Sequence, residues 1–193
     1  MKLFVSILLC LLLFSCNQSP ELVKFVRIDN PGEEVVTVSF DDGPELSLAP
    51  GETQEISVRS GSRKFRINNE EQVEIHLDAD SSYLLNPTRA SYVLETISYF
   101  PSTEAAERYY EDHQGVTVDI FGFQFEGQYE KIESKLVMPR NWAYGIGYTA
   151  TPKVNLNKIP RKGYIQKKQL HREIDLYKKI MMEVLGSNVT EED

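Results

Sequence analysis

Val36-Thr37-Val38-Ser39-Phe40-Asp41-Asp42-Gly43-Pro44-Glu45-Leu46-Ser47-Leu48 alternates apolar and polar side chains on either side of an Asp-Gly turn. Val36, Val38 and Phe40 fall on one face of an extended chain and Thr37 and Ser39 on the other, because successive side chains of a strand point in opposite directions. Asp-Gly tolerates the positive φ angles that tight turns need. The stretch is a hairpin with one buried face. The same period extends outward from it. Residues 22–28 read as a strand closed by Asn30-Pro31-Gly32-Glu33, and beyond Leu48 the Ala49-Pro50-Gly51-Glu52 turn leads to Ile56 and Val58. Ser60-Gly61-Ser62 then precedes Phe65 and Ile67, followed by Val73, Ile75 and Leu77. Six short strands separated by turn residues predict an antiparallel β-sandwich-like domain over 22–100.

Residues 101–186 have a mixed pattern, an α+β segment. Ser102 is placed to cap a short helix over 103–112, with Glu104 near its positive end and Gly115 as a stop. Residues 116–121 return to strand period, with 123–125 and 132–138 as pairing partners. Residues 139–164 hold Pro139, Pro152 and Pro160 and read as a long, partly ordered connection. Leu170, Ile174, Tyr177, Met181 and Val184 recur at intervals of four, three, four and three, which predicts an amphipathic helix over 166–185. Gly186 ends it, and 187–193 form a frayed tail. The fold class is mainly β, α+β overall.

The chain of 193 residues carries 29 Asp+Glu against 21 Lys+Arg, a formal charge of −8. That excess of acid excludes a general nucleic-acid binder, which must neutralise phosphates. Two cysteines cannot build a disulfide framework or a four-cysteine zinc site.

The first sixteen residues join one lysine, a 12-residue apolar core from Leu3 to Phe14, and then Ser15-Cys16. Such a core suits a secretory leader and is shorter than a membrane span. Leu13-Phe14-Ser15-Cys16 resembles a lipobox, of the relaxed kind found in Bacteroidota-type envelope lipoproteins. The resemblance implies cleavage before Cys16, a signal peptide over 1–15, diacylglycerol on the Cys16 sulfur and a tether over 16–21. Phe14 departs from the usual small residue, and an ordinary secretory leader cut near Ser15 is the alternative. The membrane is then a partner through the lipid anchor. Asn17 in place of Asp, and no acidic run over 17–20, point to the outer membrane facing the periplasm before the cell surface. Asn30, Val36-Thr37-Val38, Asp42-Gly43, Pro50-Gly51, and Gly61 before Phe65 also resemble a small β-domain of bacterial envelope lipoproteins. Tyr83-Leu84-Leu85-Asn86-Pro87 with Tyr92 looks like its closing strand; this resemblance implies a fold and no activity.

Ser39-Phe40-Asp41-Asp42-Gly43-Pro44 resembles the metal-binding motif of polysaccharide deacetylases, which implies Asp41 as base and Asp42 as metal ligand. That family also needs a His-x-x-x-His pair. Here His76, His113 and His171 lie 37 and 58 residues apart, so the pair is missing and a hairpin turn accounts for the motif. Glu74, His76, Asp78 and Asp80 share one strand face, a divalent-ion arrangement in principle and a solvated face in the plainer reading. Trp142, Tyr144 and Tyr148 with Gly145 and Gly147 make either an aromatic platform for a sugar or peptide, or packing.

Residues 153–179 hold nine Lys and Arg against Glu173 and Asp175, a local +7. Loss of Lys2 with the leader leaves −9, so the remaining body carries −16. Lys167, Lys168, Arg172, Lys178 and Lys179 are thus candidates for an interaction surface, or for folding back on the acidic body. No catalytic set, metal site or cofactor motif emerges. The expected function is a lipid-anchored, non-enzymatic binding or assembly module with an envelope protein or glycan as partner. The rival is a metal-dependent hydrolase of N-acetylated envelope polysaccharide, resting on Asp41, Asp42 and His76.

Overall fold

The computed structural model describes residues 21–23, 25–139, 154–159 and 163–187. The alternation around the Asp-Gly turn becomes β2 (Val36–Phe40) and β3 (Leu46–Leu48). With β5 (Gly61–Ile67) and β6 (Glu71–Leu77) they form an antiparallel sheet in the order β3-β2-β5-β6. Asp41, at φ 49°, takes the positive angle of the turn. Gly43 is required for a different reason: a Cβ there would come within 2.9 Å of the Phe40 carbonyl oxygen.

A second sheet faces the first. It contains β1 (Phe25–Asp29), β4 (Thr53–Ile56), β7 (Ser82–Leu85) and β12 (Val137–Pro139), in the order β12-β7-β1-β4. The β1–β7 pair is parallel, against the antiparallel expectation, so the strand that opens the sandwich lies beside the one that closes it. Val26, Ile28, Val38, Leu48, Phe65 and Leu77 meet between the sheets and are buried. Asn30 and Asn86 are equally buried, each satisfied by backbone. The Asn30 amide donates to the carbonyls of Glu34, Leu48 and Ala49, which pins the end of β1 to the turn after β3. The Asn86 amide donates to Ala90 and Lys135, which ties the loop after β7 to the approach to β12.

The sequence boundary at residue 100 does not survive. β8 (Tyr92–Tyr99) is the centre of a third sheet, between β11 (Tyr129–Ile132) and β13 (Ile165–Arg172), while β12 from the second half completes the sandwich. The two halves therefore exchange strands, and Leu84, Tyr92, Leu94, Ile132, Met138 and Leu170 form a shared core between them. β9 (Val116–Ile120) and β10 (Phe123–Gly127) pair as a hairpin turned by Phe121 and Gly122, both at positive φ. Residues 132–138, expected as one strand, are divided between the ends of β11 and β12.

The helix expected over 166–185 is corrected. Residues 165–172 are β13, paired with β8 at every position from Ile165↔Tyr99 to Arg172↔Tyr92. The helix, α2, starts at Glu173 and runs Glu173–Ser187, following α1 (Thr103–Asp112) in chain order. Leu170 had joined the helical period by its spacing alone. Eight residues of backbone pairing with β8 outweigh that weak local preference, as tertiary context commonly does. The apolar stripe also turns: Ile174 and Val184 are 40% and 49% exposed, while Leu176, Lys179 and the half-buried Ile180 face the protein.

One ion pair crosses the junction. Asp29, at the end of β1, is fully buried and receives Tyr92 Oη at 2.5 Å, Thr53 Oγ1 at 2.5 Å and Arg172 Nε at 3.0 Å. A second guanidinium nitrogen of Arg172 also reaches Asp29 and donates to Thr53 Oγ1 at 2.8 Å. Burial, followed by the Asp29 charge, raises the Tyr92 phenol well above its ordinary value, so Tyr92 remains a donor. Removing either charge leaves the other buried and unpaired, at a cost of about 3–5 kcal/mol. Asp29→Ala and Arg172→Met should each lower the urea unfolding midpoint by that equivalent, and the double variant by less than the sum.

Candidate functional site

α1 is an exception to the rule that a helix buries a stripe. Ser102 caps it, accepting a hydrogen bond from the Ala105 amide, yet none of its ten residues is buried. Its polar positions, including the Glu104–Arg108 pair, point to water. Its Tyr109 and Tyr110 join Phe100, just before the helix, and Tyr164, just before β13. Phe100 lies 5.1, 5.6 and 5.9 Å by ring centroid from Tyr109, Tyr110 and Tyr164. Tyr109 stacks flat on His113 at 4.1 Å, and its hydroxyl is held by the Gln166 amide at 2.9 Å.

Phe100, Tyr109 and Tyr164 wall a cleft of about 610 Å³, whose rim carries Glu104, Arg108 and Asp112. Tyr110 and Tyr164 are 47% and 45% exposed, a large fraction for rings that gain most by burial. Ring faces attract the C–H faces of a flat ligand, and carboxylate and guanidinium groups at the rim supply hydrogen bonds to its hydroxyls.

The third sheet holds a second charged cluster, around a part-buried carboxylate. Glu95, on β8, holds both His171 Nε2 at 2.7 Å and Lys179 Nζ at 2.8 Å on its Oε2 atom. His171 and Lys179 are almost fully buried. Burial pushes the Glu95 carboxyl upward, but hydrogen bonds from His171 and Lys179 outweigh it and hold the group below its ordinary value. Burial, with the Glu95 and Glu183 charges, pushes the neighbouring Tyr129 phenol up to about 12.

The residues singled out from the sequence are dispersed. Arg172 and Lys179 face inward, on Asp29 and Glu95, so they are no part of an exposed basic surface. Their segment folds back on the acidic body through them. Lys168 and Lys178 are exposed, and Lys167 is half-buried. Cys16, Trp142, Tyr144 and Tyr148 lie outside the described residues, as do 188–193 of the tail. Asp41 is occupied by its turn, accepting from the Lys64 amide at 3.0 Å and pairing with Arg63 at 3.4 Å. His76 is on β6 beside Asp78, His113 follows α1, and His171 is on β13. No cluster of three or more His, Cys, Asp or Glu able to hold a metal occurs among the described residues, and none of their helices is long and apolar enough to cross a membrane.

The sequence reading missed Glu95 and the tyrosines of α1. Glu95 had a signal: it is the lone charge in Tyr92-Val93-Leu94-Glu95-Thr96-Ile97, and a charge inside an apolar strand needs a partner. Tyr109-Tyr110 had one too, as the bulky apolar pair of an otherwise polar helix.

No family model matches the chain, and no curated protein matches it significantly. Among solved structures, the N-terminal domain of AlgF from P. aeruginosa is similar at 24% identity and a TM-score of 0.31, over 36% of this chain and 84% of that one.

The Glu95 network gives stability a defined pH dependence. A carboxyl lowered by folding contributes stability that is present above its ordinary value of 4.5 and is lost as pH falls through the lowered one. Thermal midpoints taken from about pH 6 to about pH 3 should fall more steeply for the native protein than for Glu95→Gln.

Proposed function

We propose that the protein is a lipid-anchored, non-enzymatic binding module of the bacterial envelope, and that it takes a glycan in the aromatic cleft of α1. The observation that carries the binding reading is a capped helix with no buried residue, whose Tyr109 walls a cleft with Phe100 and the exposed Tyr164. A helix normally contributes to stability through the apolar face it buries. α1 leaves that face as the side of a cleft, which supports a role in recognition. Glu104, Arg108 and Asp112 at the rim suit the hydroxyl groups of a sugar.

The anchor rests on Leu13-Phe14-Ser15-Cys16, and with it the placement on the outer membrane, facing the periplasm. A diacylglycerol on Cys16 supplies the two chains that stable anchoring requires, at about 0.8 kcal/mol per buried methylene. The sandwich would then begin within a few residues of the membrane surface, with the α1 cleft on the other half of the molecule.

Two experiments test these parts separately. Metabolic labelling with a fatty acid should mark the native protein and leave Cys16→Ser unlabelled; equal labelling of both would remove the anchor. Envelope glycan fragments titrated into the purified protein should bind, and Tyr164→Ala should weaken them about tenfold, the scale of one lost ring contact. Glycan affinity indifferent to Tyr164→Ala and Tyr109→Ala alike would remove the cleft.

A further inference from the structure

The sandwich is open along one side. Among the described residues, β3 and β4 are the outer strands of its two sheets, and no ladder joins them. Between the turn after β2 and the chain leaving β4 lies a cleft of about 340 Å³. Phe40, Leu46, Ile56 and Val58 give it apolar walls, with Arg59 and Arg63 beside them. We propose that this cleft holds one acyl chain of the diacylglycerol on Cys16, an inference that rests on the anchor reading above.

Three observations carry it. The first is where the described chain begins. The Ser60 amide donates to the Glu21 carbonyl at 2.7 Å, and Leu22 bridges to Arg59. The start of the described chain is thus bonded to one lip of the cleft. Cys16 precedes Glu21 by five residues, and that much backbone spans at most about 18 Å. A lipid on the Cys16 sulfur is therefore tethered within reach of the opening. Short tethers give effective concentrations on the order of millimolar.

The second is the unfinished burial of the walls. Phe40, Leu46 and Ile56 pack against the sandwich core yet remain partly exposed. Covering apolar surface is favourable in proportion to its area. An acyl chain covers it with methylenes alone and leaves no donor or acceptor stranded. A cation finds no free anion here, because Asp41, the one carboxylate of the lining, accepts from the Lys64 amide and pairs with Arg63.

The third is the mouth. Arg63 also donates to the carbonyls of Arg59 at 2.9 Å and Ser60 at 2.7 Å. Through Asp41 it ties the turn after β4 to the turn after β2, which sets the spacing of the walls. Arg59 is exposed at the opening. Its guanidinium only donates and the ester carbonyls of a diacylglycerol only accept, so the two match.

The arrangement has a consequence for anchoring. With one chain in the cleft, the other alone remains in the bilayer, and a single chain holds a protein marginally and reversibly. The cleft makes the anchor releasable.

A fatty acid carrying a photoreactive diazirine, fed to the cells, labels the native protein on Cys16. Irradiation of envelopes then joins the labelled chain to whatever lies beside it. Mass spectrometry of the digested protein should find the Cys16 peptide joined to peptides from residues 40–46 or 56–59. Leu46→Glu puts a charge in the wall, and Ser57→Trp fills the cleft from an exposed position. Both should keep the label and lose that crosslink. Ser57→Trp leaves the sandwich core untouched, so it carries the test alone if Leu46→Glu does not fold. A labelled protein crosslinked only to bilayer lipid or to other proteins would overturn the proposal and leave the anchor standing. A cleft crosslink unchanged in Ser57→Trp would do the same. Native protein without label would remove the anchor itself, and the proposal with it.

Discussion

The buried fork between Asp29 and Arg172 fixes how the sandwich and the third sheet meet across a largely apolar core. Asp29 closes β1 of the sandwich, Arg172 closes β13 of the third sheet, and Tyr92 opens β8 beside it. An apolar interface permits sliding, since methyl groups have no preferred direction. A bidentate guanidinium–carboxylate pair allows one geometry. With Tyr92 and Thr53 on the same carboxylate, the fork sets the register between the halves. Such pairs contribute little net stability, because desolvation offsets most of their attraction. Their effect here is on specificity of arrangement.

The remaining architecture follows from that arrangement. Arg172 is the last residue of β13, and α2 begins at the next residue. Holding Arg172 therefore fixes both the end of the strand and the start of the helix. Nearly two turns further on, Lys179 reaches Glu95, a second charged contact that seats α2 on the third sheet. The intervening Leu176 is buried with Val93, Val118 and Ile120. Polar contacts at both ends and an apolar one between give α2 one orientation.

The legibility of the chain depended on how local the deciding physics was. Strands β1 to β6 were readable because each alternates over several residues and ends in turn chemistry, and α1 was readable from Ser102 and the residues it caps. β13 was not. Its Leu170 fits a helical stripe with Ile174 and Tyr177 as well as it fits a strand, and only β8, more than sixty residues earlier, decides between them. Two residues of the expected basic surface were misplaced similarly: Lys179 and Arg172 look like their neighbours Lys178 and Lys168 until Glu95 and Asp29 are placed opposite.

The sequence by itself determined the mainly β class, the hairpins of the sandwich, the capped helix and the acidic body with its basic segment. These rest on side-chain period, turn residues and charge, which act within a few residues. Tertiary structure alone decided the exchange of β8 and β12 between the halves, the strand in place of half a helix, the inward lysine and arginine, and the cleft beside α1. Each of those depends on which distant group satisfies a buried charge or an open strand edge, and spacing along one chain carries no record of that partner.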